Sequence, residues 1–277
     1  MSRNEERLGA IDQAGAEAPP ISENSILDFV FPTEFVDLPS QGRFYSEEHP
    51  LHNKESVEIR YMTAKDTDIL TSKSLLKKGV ALDRVLQNIL VDKSIKVDSL
   101  IVGDKNALVV AARISGFGAE YKTNITCPSC GTTGQAEFDL SAIEPHLGDH
   151  EFKLSPEGTF KVMLPKTGVE AECKLLIGED EKAMFKSSEK RKKHNLPEEP
   201  LTAQYKRFIV SLNGHTERGL VEKFVDAMPA LDSSYLRKVY SRVAPSVEMK
   251  QDYACSSCDA DTVVDIPFSA NFFWPDR

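Results

Sequence analysis

Cys127-Pro-Ser-Cys130 and Cys255-Ser-Ser-Cys258 are two Cys-x-x-Cys motifs that lie 128 positions apart in a chain of 277 residues. When the first motif is placed on the second without a gap, the residues that follow them also align: Ala136 falls on Val264, Phe138 on Ile266 and Leu140 on Phe268. Alternating apolar residues precede and follow each motif, which is typical of strands. We therefore predict two β-hairpins, each with its cysteine pair near the turn, that meet across one metal ion.

The four thiolates indicate a structural zinc site. Four sulfur ligands complete the tetrahedral shell of zinc and leave no open position for a substrate. A simple zinc ribbon separates its two cysteine pairs by roughly 15–20 residues, so an inserted domain must account for the longer separation in this chain. A rubredoxin-like iron site would use the same ligands and stays open as an alternative. The predicted metal ligands are Cys127, Cys130, Cys255 and Cys258.

Other uses of the cysteines fit the sequence less well. Neither motif lies between a strand and a helix of a βαβ unit, which argues against a redox dithiol. Two matched Cys-x-x-Cys pairs and an odd total of 5 cysteines suit a reducing compartment and a metal rather than disulfides. The fifth cysteine, Cys173, is followed closely by Leu175 and Leu176, so we predict an ordinary core thiol.

The composition excludes several classes of protein. Hydrophobic residues make up 40% and charged residues 28% of the chain, as in soluble proteins. The longest apolar runs, such as residues 107–112, are too short to span a membrane, and the first residues lack the pattern of a secretory signal. A net charge of −9 lacks the electrostatic footprint of a nucleic-acid-binding protein.

The predicted fold class is α+β, in which a strand and helices lead into a two-hairpin, zinc-ribbon-like element with an α+β insertion between its halves. Residues 1–24 are rich in Ala, Glu, Gly and Pro and are predicted to form a disordered arm. Residues 25–46 form an extended aromatic strap. The core comprises 47–145 and 246–277, and the insertion comprises 146–245.

Hydrophobic periodicity predicts the elements of the core. A strand covers 56–62, and a helix begins at Thr63 with Asp66 in the capping-box position and ends at Gly79. The next helix carries an apolar stripe, and a third helix over about 104–115 is apolar nearly all round. The stripe consists of Leu82, Val85, Leu86, Ile89 and Leu90.

The insertion has its own pattern of elements. Thr159 to Leu164 and Glu170 to Leu176 predict a hairpin, because Pro165-Lys-Thr-Gly168 between them has the residues of a turn. Four helices follow, near 180–190, 201–212, 218–227 and from about 232 to the residue before Pro245.

Two aromatic segments lack the period of a self-contained element. The first is the strap over 25–46, and the second is the exposed-looking stretch Asn271-Phe-Phe-Trp-Pro-Asp-Arg277. Each segment could pack on its own domain or dock on another subunit, since dense apolar patches outside a regular core often mark interaction sites. We predict that partner binding uses Phe29, Phe31, Phe35, Phe272, Phe273 and Trp274.

No constellation of catalytic residues stands out. The chain contains no phosphate-binding loop, no nucleophile elbow and no His-Glu-x-x-His motif. His146 and His150 have no third ligand nearby, and the basic run over 190–194 lacks the interleaved aromatic residues of a nucleic-acid-binding segment. We therefore do not expect an enzyme.

Three segments together carry a resemblance to a known family. They are Leu38-Pro-Ser-Gln-Gly-Arg-Phe-Tyr45, the run from Val57 to Thr71 with Leu75-Leu-Lys-Lys-Gly79 after it, and Ile125-Thr-Cys-Pro-Ser-Cys-Gly131. In combination they resemble the baseplate (hub) protein family of T-even-like contractile-tailed bacteriophages. The match covers about 27–142 well, whereas the insertion and the C-terminal part match only loosely.

The resemblance implies a structural or assembly role at the centre of the tail baseplate, in a virion assembled in the host cytoplasm. Other tail and baseplate proteins, including the tape-measure protein, are the implied partners, and no catalytic residue is carried over. A hub component, a tail-assembly chaperone that leaves the virion and a zinc-ribbon adaptor acting on nucleic acid remain three competing functions. The net charge of −9 counts against the adaptor, because phosphate contacts need a concentrated basic face.

Overall fold

The first elements of the fold join the aromatic strap to the predicted strand. The computed structural model describes residues 32–150, 152–155, 157–266 and 272–273, so the predicted arm over 1–24 lies outside the described residues. β1 (Thr33–Asp37) pairs antiparallel with β2 (Ser56–Arg60). Part of the strap, in which we predicted no sustained period, is therefore a strand that buries Val36 and exposes Phe35.

Four helices follow β2, of which the second has only five residues. They are α1 (Ala64–Thr71), α2 (Lys73–Lys77), α3 (Ala81–Ile89) and α4 (Val102–Phe117). The prediction of one helix from Thr63 to Gly79 is wrong, because the extended backbone of Ser72 separates α1 from α2. The apolar stripe of α3 is buried as predicted, and α4 ends at Phe117 rather than at Gly116.

The motif Leu38-Pro-Ser-Gln-Gly-Arg-Phe-Tyr45 is anchored on the first turn of α4. Asp104, which is fully buried, accepts hydrogen bonds from the Ser40 N–H (2.9 Å), the Ser40 hydroxyl (2.6 Å) and the Tyr45 hydroxyl (2.7 Å). Gly42 lies between these donors with φ +71°, and a Cβ there would lie 2.4 Å from the Leu51 carbonyl oxygen. Only glycine fits this turn without strain, which explains the place of Gly42 in the motif.

The capping box at the start of α1 forms as predicted. The Asp66 carboxylate accepts from the Thr63 N–H (2.9 Å), the Thr63 hydroxyl (2.8 Å) and the Arg60 guanidinium (2.8 Å). Burial opposes ionisation of this carboxyl, but the hydrogen bonds from Arg60 and Thr63 outweigh it and lower the pKa of Asp66 to about 2. The ionised form is thus the form that stabilises the fold.

We expect Asp66→Asn to lower the free energy of unfolding at pH 7 by about 2 kcal/mol, because one pKa unit corresponds to about 1.4 kcal/mol. The contribution is complete above the ordinary pKa of an aspartate and is lost as the pH falls through about 2, since the folded pKa is the lower one. Urea melts of both proteins between pH 7 and pH 2 should therefore converge. Asp68→Asn, an exposed change in the same helix, is the control, and a pH-independent difference for Asp66→Asn would contradict the account.

The first cysteine motif lies in a hairpin of β3 (Glu120–Thr126) and β4 (Thr133–Asp139), as predicted. After β5 (Pro145–His146), the inserted segment begins. Its sheet has the order β6 (Phe160–Met163), β7 (Glu170–Cys173) and β8 (Ile209–Leu212), with both pairs antiparallel. The first two strands are the predicted hairpin, and the third is new.

The helices of the insertion are α5 (Gly178–Lys193), α6 (Pro200–Phe208), α7 (Arg218–Ala227) and α8 (Ala230–Val243). The predicted helix over 201–212 is wrong at its end, because α6 stops at Phe208 and the next four residues form β8. Ile209 and Val210 are β-branched, which favours the strand, and Ile209 is buried against β7.

The chain leaves the insertion through β9 (Ser246–Val247), which pairs antiparallel with β5, so the two ends of the inserted segment lie side by side. β10 (Lys250–Ala254) and β11 (Asp261–Asp265) then form the second predicted hairpin. One hydrophobic core includes residues of the insertion and of the flanking parts. The mixed α+β class is confirmed, whereas the division into domains stays a prediction.

None of the helices in the described part of the chain is long and apolar enough to cross a membrane.

Candidate metal centre

The first Cys-x-x-Cys motif forms a tight turn at the end of the β3–β4 hairpin. The Cys127 N–H donates to the Thr132 carbonyl oxygen (2.9 Å), and the Gly131 N–H donates to the Cys127 carbonyl oxygen (2.9 Å). Gly131 adopts a positive φ of +74°, which lets the chain return into β4. These bonds direct both sulfur atoms to the same side of the turn.

The second motif repeats this backbone arrangement. The Cys255 N–H donates to the Ala260 carbonyl oxygen (3.0 Å), and the Asp259 N–H donates to the Cys255 carbonyl oxygen (2.9 Å). Asp259 takes the place of Gly131 with φ +50°. Every bond of the first turn thus has a counterpart 128 positions later, so the repeat seen in the sequence is also a repeat in backbone structure.

The two turns bring four sulfur atoms together. The Sγ atoms of Cys127 and Cys258 lie 3.9 Å apart, and those of Cys130 and Cys255 lie 3.8 Å apart. All four sulfur atoms lie within 4.8 Å of one another. Ligands in a tetrahedron with bonds of about 2.3 Å are separated by about 3.8 Å, so the four cysteines can hold one metal ion.

Hydrogen bonds shift the pKa values of Cys130 and Cys258 in opposite directions. Hydrogen bonds from Thr132 lower the pKa of Cys130 to about 6. At Cys258 the Ala260 N–H lowers the pKa, but hydrogen bonds with Cys130 and Cys255 outweigh it and raise the pKa to about 12. Metal ligands must be deprotonated, so binding of a divalent cation would displace the proton that Cys258 holds.

Both hairpins contribute buried side chains to the hydrophobic core. Ile125 and Phe138 of the first hairpin are buried, as are Tyr253 and Val264 of the second. Cys127 and Cys255 belong to the same core, whereas Cys130 and Cys258 are exposed. A metal ion here would have sulfur on all four sides and no open position for a reacting group, as expected for a structural site.

Cys173 is not part of this centre. Its thiol lies in β7 with no exposed surface, and burial raises its pKa strongly. The prediction of an ordinary core thiol is confirmed.

Among the described residues, the four cysteines are the only group of three or more Cys, His, Asp and Glu placed to hold a metal. His146 instead contacts the Arg242 carbonyl oxygen (3.2 Å), and His150 contacts the Arg43 guanidinium. The basic run over 190–193 forms the end of α5, where Arg191 pairs with Glu199 and Lys192 with Glu198.

The predicted partner-binding residues fall into different environments. Phe35 is 71% exposed, whereas Val36, Leu38, Phe44 and Tyr45 of the same strap are buried, so this strap packs largely on its own domain and partner binding by Phe35 stays a prediction. The exposure expected of the C-terminal strap is wrong for Phe272 and Phe273, which are only 2% and 6% exposed. Phe29, Phe31 and Trp274 lie outside the described residues.

Arg113 explains why the C-terminal aromatic pair is buried. Its guanidinium donates from Nε to the Phe272 carbonyl oxygen (2.8 Å) and also to the carbonyls of Gly118 and Glu120. Phe272 packs edge-on against the Tyr121 ring at 5.1 Å. In the sequence, Arg113 is a charged residue inside the apolar run of α4, which signals a buried polar contact. This signal does not identify Phe272 as the residue that Arg113 contacts.

Comparison with known proteins points to one family. The family model described as "T4 bacteriophage base plate protein" matches residues 33–274, which is most of the chain. No curated protein and no solved structure matches the chain.

Proposed function

Because the chain belongs to the T4 bacteriophage base plate protein family, we propose that it is a structural or assembly component of the central hub of the baseplate. Family membership places the protein in the virion tail and supports a structural role among other baseplate proteins, which we propose is non-enzymatic. The observation that best supports action by protein binding is the exposed Phe35, since exposed aromatic residues are common anchors of interfaces.

The position in the baseplate can be tested on purified particles. Mass spectrometry of intact virions should detect the chain, and a structure of the assembled tail tip should place it on the central axis. Absence from virions that were assembled in its presence would favour the alternative of a tail-assembly chaperone, and detection at the periphery would contradict the hub. The tape-measure protein is a proposed neighbour at this position.

A nucleic-acid adaptor is the second alternative. A DNA shift assay at several salt concentrations tests it, because binding to phosphates weakens steeply as salt increases. With a net charge of −9 we expect no shift.

We also propose that the four cysteines hold structural zinc. Elemental analysis of freshly purified, unchelated protein should give about one equivalent of zinc per chain, because a single four-sulfur centre accommodates one ion. One equivalent of iron, with the visible absorption of an iron–thiolate centre, would support the rubredoxin-like alternative. Protein free of any metal would contradict the proposal.

Mutations can distinguish which of the two aromatic straps contributes to partner binding. Phe29, Phe31 and Phe35 changed together to Ala should leave zinc content and thermal stability near those of the native protein and block incorporation into tails. Because Phe272 and Phe273 are buried, their change to Ala should instead lower the melting temperature, since truncating a buried Phe costs about 3–5 kcal/mol. Normal infectious tails with the N-terminal triple variant would exclude that strap as the contact.

A further inference from the structure

β1 has one hydrogen-bonding edge that β2 does not use. In an antiparallel pair of strands, residues that exchange two backbone hydrogen bonds with the partner strand alternate with residues whose N–H and C=O groups point away from it. Leu38 is a bonded position, because its N–H donates to the Glu55 carbonyl oxygen (2.7 Å). Phe35, three residues earlier, is paired with Glu58. The Glu58 carbonyl oxygen accepts from the Val91 N–H on the far side of β2 (3.1 Å), so it does not bond to Phe35. The N–H and C=O of Phe35 therefore point away from β2, and within the described ranges no other backbone group bonds to them.

An apolar groove of about 240 Å³ begins at the C-terminal end of this strand. Asp37 of β1 lines one end, and the small side chains of Ala107 and Ala111 on α4 form part of its lining. Val247 of β9 and Ile143, which lies two residues before β5, also line the groove. Small residues leave room for a backbone to lie close to α4, and the apolar walls suit apolar side chains.

The surroundings of the groove are acidic. Asp37 is exposed, and so are Glu144, next to Ile143, and Glu248, next to Val247. Glu144 and Glu248 are held side by side, because the Glu248 N–H donates to the Glu144 carbonyl oxygen (3.0 Å). None of the three carboxylates has an ion-pair partner in the part of the chain that the structure describes.

We propose that the edge of β1 and this groove bind an extended segment of another tail protein by strand addition. An open strand edge is satisfied by another strand, which supplies main-chain bonds, while pockets beside the edge select alternate side chains. The segment should carry apolar residues at alternate positions and Lys or Arg at its ends, to complement the acidic surroundings. The inference rests on the proposed function, since it names the kind of contact through which the protein would bind its neighbours.

Charge favours a segment of another tail protein over two other candidates for the groove, the N-terminal segment of this chain and a second copy of β1. The segment over residues 23–31 of the chain itself carries Glu23 and Asp28 and no basic residue, so it would place like charges near Asp37, Glu144 and Glu248. A second copy of β1 would bring its own Glu34 and Asp37 to the same carboxylates. A segment with basic ends avoids both repulsions.

The test uses the full-length protein in assembled tails. The photo-reactive residue p-benzoylphenylalanine replaces Phe35, whose exposed ring lies on β1 and outside the groove lining, so the groove stays open. Purified tails are irradiated, and mass spectrometry identifies the cross-linked peptide. We expect one segment of a different tail protein, apolar at alternate positions and with basic ends. Cross-links to residues 1–31 of the same chain or to a second copy would overturn the proposal, as would the absence of a cross-link in tails that contain the protein. If the protein itself is missing from purified tails, the proposed function fails instead.

A synthetic peptide of the cross-linked segment then tests the mode of binding to the purified protein. Phe35→Pro removes the outward N–H without removing a bond between β1 and β2, and Ala111→Arg fills the groove, so each should weaken binding about tenfold, or ~1.4 kcal/mol. Asp37→Lys should weaken binding most at low salt, because it reverses an attractive charge. Val263→Ala, on the exposed face of the second hairpin, is the control and should bind as the native protein does.

Zinc content and melting temperature show whether each variant is folded. If Phe35→Pro does not fold, Ala111→Arg and Asp37→Lys decide the question alone. Native affinity in those two variants, when folded, would overturn strand addition at this groove.

Discussion

Replacing Cys255 by Ser is expected to abolish metal binding and to destabilise both hairpins together. The proposed metal would join two chain segments 128 positions apart, and both hairpins contribute residues to one core. Structural zinc sites have apparent binding free energies of about 10–16 kcal/mol, comparable with the whole stability of an ordinary domain. We therefore expect the melting temperature to fall by roughly 10 °C or more, with zinc content measured on the same samples.

Cys173→Ala provides the matched control, because this thiol is also fully buried but lies outside the metal centre. We expect full zinc content and a loss of about 1 kcal/mol, as for other small deletions in a packed core. Equal losses of melting temperature in the two variants would mean that Cys255 is an ordinary core residue. Chelation should reproduce the effect of Cys255→Ser in the native protein and add little to the variant itself.

The second large effect is expected for Asp104→Ala. The change leaves the Ser40 N–H, the Ser40 hydroxyl and the Tyr45 hydroxyl without their common acceptor, and all three groups are buried. Each buried group left without a partner costs about 1–3 kcal/mol, so the free energy of unfolding should fall by about 3 kcal/mol or more. Chemical denaturation followed by circular dichroism measures this loss.

Two further variants determine whether the hydrogen bonds or the charge of Asp104 matters. Asp104→Asn keeps one acceptor oxygen and should lose less stability than Asp104→Ala. Asp68→Ala changes an exposed acid on α1 and should be nearly neutral. A similar loss for Asp68→Ala and Asp104→Ala would contradict the account, because the exposed acid has no comparable set of donors.

The cluster of four cysteines could be predicted from sequence because each half is encoded locally. Two cysteines separated by two residues, between alternating apolar residues, specify a hairpin turn that carries two thiols, and the same pattern occurs twice. The stripe of α3 and the capping box at Thr63 are likewise local signals, and both were found. In each of these cases the residues that determine the local structure lie close together in the sequence.

Contacts between distant residues explain the predictions that failed. The sequence around Phe272 does not show that Arg113, 159 positions earlier, binds its carbonyl oxygen and helps to bury it. In the same way, β8 exists because β7 offers it an edge, so a helical period over 201–212 was not sufficient. The motif from Leu38 to Tyr45 was recognisable as a family feature, but its acceptor, Asp104, lies 64 positions from Ser40.

Because the two cysteine turns are far apart in the sequence, the ribosome makes the second turn some time after the first. At about 5–20 residues per second, the ribosome needs roughly 6–25 s to advance from the first motif to the second. During that interval Cys127 and Cys130 can offer a metal only half of its ligands. The four-cysteine cluster can close only after Cys258 has been made, so a chain released before that point, even with the entire insertion complete, could not enclose a metal.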